Sequence, residues 1–156
     1  MFDILVYLYE SYFHADFCPE TEQLAHSLSV AGFEQEEISS TLDWFASLRD
    51  RETRTSIAMT PAQDSVRIYS DFELQRLNTE CRAYLGMLEN SGVLTAGQRE
   101  RIIDGALALE NFTIHLSRLK VIVLMVLWQH AHPIDILMVD ELLGEELDGD
   151  FAPLLH

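Results

Sequence analysis

The residues best suited to chemistry sit at two places: His14-x-Asp16-x-Cys18, and His130-x-His132 followed by Asp135. Imidazole, carboxylate and thiolate are metal ligands, and a bound zinc or iron would bring hydrolytic or redox chemistry with it. The spacing argues against that reading. One intervening residue matches neither the ligand pairs of a zinc finger nor two histidines a helical turn apart. Histidines also gather at helix C-termini, where the dipole favours a cation, and His14 and His130 both end predicted helices. No Gly-rich phosphate loop, GxSxG elbow, CxxC pair or Ser/His/Asp spacing occurs. No catalytic residue, metal ligand or cofactor is therefore assigned, and a metal-dependent enzyme ranks last among the functional readings.

The other chemistry available is charge. The 156 residues hold 26 acids and 10 bases, for a formal net charge of −16. Residues 1–48 carry nine acids and no base, and residues 133–156 carry seven acids and no base. All ten bases lie between Arg49 and Lys120. Phosphate neutralisation needs clustered Lys and Arg, so a basic clamp over the whole surface is excluded. The one local excess is Arg49, Arg51, Arg54 and Arg67, which makes these four the candidate nucleic-acid contacts. Internal pairing with Asp50, Glu52 and the acidic helix before them is the favoured alternative. At the other end, Asp140, Glu141, Glu145, Glu146, Asp148 and Asp150 surround Leu142, Leu143 and Leu147. An acidic amphipathic helix can dock on a basic groove, with Leu143 and Leu147 as anchors. A solvated outer face is the favoured alternative there.

The elements that position these groups read as helices. Apolar content is 48%, with eight Phe, five Tyr and two Trp, which is globular composition. Two cysteines form no disulfide framework, and thiols in a reducing cytosol are the expectation. No signal peptide is read at the N-terminus. The longest apolar run, Val121 to Trp128, is eight residues against the roughly 20 that a membrane span needs. The expectation is a cytoplasmic protein with no membrane partner.

Residues 2–14 form a predicted helix, with Leu5, Leu8, Tyr9 and Tyr12 on one face. Residues 20–31 form a second, stopped by Gly32. Residues 34–49 form a third, lined by Ile38, Leu42, Phe45 and Leu48, with Glu34, Glu36 and Glu37 where the dipole favours anions. Trp44 lies off that stripe, so it either covers a second element or stays exposed to a partner. Residues 50–64 show no helical period. Val66 to Tyr69 alternates as a strand, and Thr55 to Met59 is its candidate partner across Pro61 to Asp64.

Ser70 with Glu73 is a capping box that opens a long helix to Ser91, with Leu74, Leu77, Cys81, Tyr84, Leu85 and Leu88 inward. Thr95 with Gln98 opens another to about Glu110, and Gly105 within it allows a close helix approach. Thr113 caps a helix to about His130, apolar nearly all round and hence central. A final helix spans 134–147.

Three helices followed by a hairpin give a winged-helix-like module over 1–70, and 71–156 form a four-helix bundle. The fold class is all-α with one small hairpin. A helix-turn-helix reading meets an obstacle: the recognition helix would open Glu34-Gln35-Glu36-Glu37, and these carboxylates repel phosphate. The stretch Ala31-Gly32-Phe33, then Ile38, Thr41 and Leu42, is similar to the ubiquitin-associated three-helix module, in which a Gly-Phe loop docks a partner. Phe33 is thus a docking candidate, weighed against a simple hydrophobic staple.

Four segments together carry a broader likeness. Met1-Phe2-Asp3-Ile4-Leu5-Val6-Tyr7-Leu8, Ala31-Gly32-Phe33 with Ile38, Leu42 and Trp44, Val66-Arg67-Ile68-Tyr69, and Leu119 to Leu127 resemble the bacterial Smg family, collinearly over nearly the whole chain. The closing Leu155-His156 fits as well. The likeness is loosest in the second helix and at 50–64. The resemblance implies no catalytic or ligand residues, because the family's function is unknown. Its members are commonly encoded beside a DNA-processing protein and topoisomerase I, which implies a link to DNA metabolism. The leading expectation is a non-enzymatic adaptor with a protein partner. Weak nucleic-acid binding through the N-terminal module is the alternative.

Overall fold

The computed structural model describes residues 1–12, 19–55, 68–109 and 113–129, with the side chains of 49–55 set aside. Within them lie seven helices: α1 (Phe2–Tyr12), α2 (Thr21–Ala31), α3 (Gln35–Thr55), α4 (Asp71–Arg76), α5 (Thr79–Asn90), α6 (Ala96–Leu107) and α7 (Leu116–Gln129). The chain is thus predominantly helical. Among the described residues the sole β-type pairing is an isolated parallel bridge between Leu77 and Ile114.

The helix boundaries follow local chemistry. Ser70 Oγ accepts from the Glu73 amide while the Glu73 carboxylate accepts from the Ser70 amide at 2.8 Å, so both halves of the capping box form. Thr95 and Gln98 do the same at α6. At the end of α2, Gly32 adopts φ 98°, and the Phe33 amide reaches back to the Leu28 carbonyl at 3.2 Å. This six-residue closure satisfies carbonyls that the helix end would otherwise orphan. A Cβ on Gly32 would meet no neighbour within 4 Å. Gly32→Ala is therefore expected to cost about 1–2 kcal/mol through backbone strain alone, read as a lowered denaturant midpoint with an unchanged slope.

α7 is the central element. Every side chain from Val121 to Trp128 is buried, and the helix packs on α1, α3, α5 and α6. α6 also packs on α3. Residues before and after position 70 therefore share one apolar core, which runs from Ile4 and Leu8 through Leu48 to Leu85, Ile102 and Ile122. Gly105 marks the tightest approach: a Cβ there would lie 2.6 Å from Leu48 Cδ2 and 3.5 Å from Trp44 Cζ2.

Three boundaries differ from the sequence reading. α3 runs on to Thr55 instead of ending near Arg49, and Thr55 closes a helix rather than opening a strand. Apolar periodicity stops at Leu48, but Asp50 and Arg54 keep an i, i+4 acid–base spacing that suits a helix. The long helix expected over 70–91 is broken. Leu77 is extended (φ −106°, ψ 111°), wholly buried and bridged to Ile114, and the Asn78 side chain caps α5 by accepting from the Cys81 amide at 2.9 Å. Leu74 is consequently 40% exposed instead of inward. Finally, α7 begins at Leu116 rather than just after Thr113, because the Ile114 amide is committed to the Arg76 carbonyl at 2.8 Å. Of the expected strand at 66–69, Ile68 and Tyr69 are described and belong to no strand, while residues 56–67 and the helix at 134–147 lie outside the described residues.

Candidate interaction surfaces

α1, α2 and α3 place their apolar stripes inward, so their charged positions must face out. Asp3, Glu10, Glu20, Glu22, Glu34, Glu36, Glu37 and Asp43 are all exposed. Among the described residues none of these eight carboxylates forms an ion pair, whereas Glu89 and Glu100 both pair with Arg99. The acidity of residues 1–48 is thus presented to solvent as a field of one sign, with Glu34, Glu36 and Glu37 packed into one turn. Such a field steers oppositely charged partners and repels polyanions.

The docking candidates fall in different settings. Phe33 is half-buried and meets the Tyr7 ring edge-on, with centroids 5.6 Å apart and planes at 67°. It staples the α2–α3 turn onto α1 and leaves part of its ring at the surface. Trp44 is 8% exposed, and its indole N–H donates to the Gly105 carbonyl at 3.0 Å. It covers α6, which is one of the two placements its off-stripe position allows. Leu143 and Leu147 lie outside the described residues.

Of the arginines, the backbone positions of Arg49, Arg51 and Arg54 lie on the final turns of α3, where cations suit the helix C-terminus. They are not on a β-wing. Arg51 and Arg54 are three residues apart on a helix and hence on one side of it. Arg67 lies outside the described residues. The other described cations are dispersed and most sit over aromatic rings. Arg118 lies 5.1 Å from the Phe2 centroid, Arg76 5.8 Å from Phe72, Arg82 5.9 Å from Tyr69 and Lys120 5.8 Å from Tyr84. They form no continuous basic track.

Sequence reasoning misses Arg99. It is buried at the N-terminal end of α6, where the dipole disfavours a cation. Its guanidinium donates to Glu89 near the end of α5 and to Glu100 Oε1 at 3.0 and 3.2 Å. The two carboxylates offset its desolvation and tie α5 to α6, a stabilising rather than a chemical role. Ten residues separate Arg99 from Glu89, so no helical spacing signals the pair.

Cys81 is wholly buried, and its thiol donates to the Ile114 carbonyl at 3.3 Å. Burial pushes it up to about 11, so it stays protonated and poorly nucleophilic at neutral pH. Among the described residues no group of three or more His, Cys, Asp or Glu side chains could hold a metal. The His14-Asp16-Cys18 and His130-His132 groups lie outside them. No helix among the described residues is long and apolar enough to cross a membrane.

Comparison with known proteins adds a lineage. The family model described as "Protein of unknown function (DUF494)" matches residues 1–151. The chain is 56% identical to "Protein Smg homolog" of Azoarcus sp. over 156 residues, the full length of both. It is 50% identical to the protein of that name from Aromatoleum aromaticum, again over the full length of both. To the one from Bordetella pertussis it is 46% identical over 147 residues, 94% of this chain and 96% of that one. No solved structure matches.

Proposed function

Because this chain belongs to the Smg family, whose description names no activity, we propose its role from its own surfaces: a non-enzymatic interaction protein that docks a basic protein partner through the acidic faces of α1–α3. The observation that carries this reading is the set of eight exposed carboxylates without an ion pair among the described residues. Folding neutralises few of these charges internally, and a partner with Lys and Arg would complete them. The partner would belong to DNA-processing machinery, the link that the family resemblance implies. In this reading residues 1–70 act as a winged-helix-like module and 71–156 as the helical bundle that backs it. The setting is the cytoplasm, no cofactor takes part, and Leu143 and Leu147 add a second acidic–apolar docking face.

The test is a native pull-down from the source bacterium. A stoichiometric protein partner is expected, and Glu34→Lys, Glu36→Lys and Glu37→Lys combined are expected to lower its affinity at least tenfold while the chain still folds, with a melting temperature lowered by the loss of favoured anions at the α3 N-terminus. Repeated recovery of the chain alone counts against the reading.

A second reading rests on α3 continuing to Thr55. A helical backbone sets Arg51 and Arg54 on one side of its last turns, a site for weak phosphate contact to which Arg49 and Arg67 would add. It predicts retention on DNA or RNA at low salt that falls steeply as salt rises. Retention that survives Arg51→Glu with Arg54→Glu sinks it. Elemental analysis for Zn, Fe and Mn separates both readings from a metal protein.

A further inference from the structure

From Ser70 to Ser91 the sequence carries one unbroken helical stripe, Leu74, Leu77, Cys81, Tyr84, Leu85 and Leu88. The backbone nevertheless leaves the helix at Leu77 and re-enters it at Thr79. A conflict between local pattern and global structure marks a frustrated segment, in which an alternative arrangement competes with the one seen. We propose that the Leu77–Asn78 joint is a two-position hinge. The bent position is the one seen here. In the straight position α4 and α5 run on as a single helix and release the α6–α7 connection.

Among the described residues several contacts hold the bent position, the Cys81 thiol on the Ile114 carbonyl included. The Ile114 amide donates to the Arg76 carbonyl at 2.8 Å, and the Arg76 guanidinium donates to the Leu109 carbonyl. The Asn78 side chain caps α5, and the Leu77 side chain is wholly buried beside the bridge. Apart from the cap, these contacts converge on the α6–α7 connection, so losing them loosens that connection at once.

Straightening asks little of α4 itself, because no residue of α4 is buried. Its capping box, Ser70 with Glu73, lies at the far end from the joint and survives in either position. The straight form returns the amides of residues 78–81 to i−4 carbonyls. It also aligns Leu74 and Leu77 with the stripe of α5, which turns a clamp into an extended apolar helix face. A ligand that covers this face would shift the population toward the straight form.

The hinge is tested on the full-length chain by backbone Cα chemical shifts and amide exchange. In the unaltered chain Leu77 and Asn78 are expected to show extended-type shifts. Asn78→Ala removes the cap and should raise the straight population about fivefold, the factor that the loss of one N-cap carries. Leu77 and residue 78 then move toward helical shifts, and exchange of the Ile114 amide quickens by the same factor. Arg76→Ala should act in the same direction, whereas Asn78→Asp keeps a capping oxygen and should leave the bent form in place. Extended shifts at Leu77 and residue 78, with unchanged Ile114 exchange, in both Asn78→Ala and Arg76→Ala overturn the hinge. If one of these two variants fails to fold, the other decides.

Discussion

Replacing Trp44 with Ala is expected to remove about 3–5 kcal/mol of folding stability, the range for deleting a buried large aromatic. The ring lies in the α3–α6 contact, next to Gly105. Its indole N–H serves a second purpose. α6 ends at Leu107, so the Gly105 carbonyl belongs to the last turn, where helical partners run out. The Leu109 amide, its natural intrahelical donor, turns instead to the Ala106 carbonyl at 3.3 Å. Trp44 supplies the missing donor at 3.0 Å, from 61 residues away in sequence. Trp44→Phe keeps most of the apolar contact and leaves that carbonyl unsatisfied, so a loss of about 1–3 kcal/mol is expected. Thermal and urea unfolding of both variants check this order. A Trp44→Ala chain of near-native stability would show that the side chain is not part of the core and would return it to the docking face.

The second large effect is a reversal of sign. On an exposed helix Gly→Ala gains up to about 1 kcal/mol through propensity. Gly105→Ala is expected to lose about 1–3 kcal/mol instead, because the new methyl meets Leu48 Cδ2 at 2.6 Å in a filled core. Leu48 is wholly buried and has little room to retreat. Leu48→Ala alone should cost about 2–5 kcal/mol by leaving a cavity. In that background the Gly105 methyl has space, so Gly105→Ala should become neutral or stabilising. The double-mutant cycle reads this coupling directly. Additive losses would mean that α3 and α6 do not meet at Gly105.

Much of the architecture is visible before any coordinates. Capping boxes at Ser70 and Thr95, the stop at Gly32 and the central position of α7 follow from short-range pattern, because the physics there is short-range. Gly105 announces a close approach but not which helix makes it. The break at Leu77 is invisible for a definite reason. Its partners, Leu109 and Ile114, lie more than thirty residues away, and the local stripe favours a continuous helix. α3 runs past Arg49 because charge spacing sustains a helix that apolar periodicity has abandoned.

The interaction surfaces divide in the same way. Exposure of the carboxylates of α1–α3 follows from composition and amphipathicity. That Trp44 turns to α6 depends on tertiary placement, whereas Arg49, Arg51 and Arg54 ride a helix instead of a β-wing through the local charge spacing that extends α3. The Arg99 pairing with Glu89 crosses a turn between helices and leaves no trace in the spacing.

The central question is whether the acidic faces of α1–α3 bind protein. The most direct measurement is one pull-down with three baits: the unaltered chain, the Glu34, Glu36 and Glu37 lysine variant, and the Arg51 and Arg54 glutamate variant, each washed with and without nuclease. The prediction is a single protein partner held by the unaltered and arginine-altered baits, insensitive to nuclease and lost from the lysine-altered bait. Retention lost with nuclease or with the arginine change, and kept by the lysine-altered bait, would contradict it and assign the surface to nucleic acid.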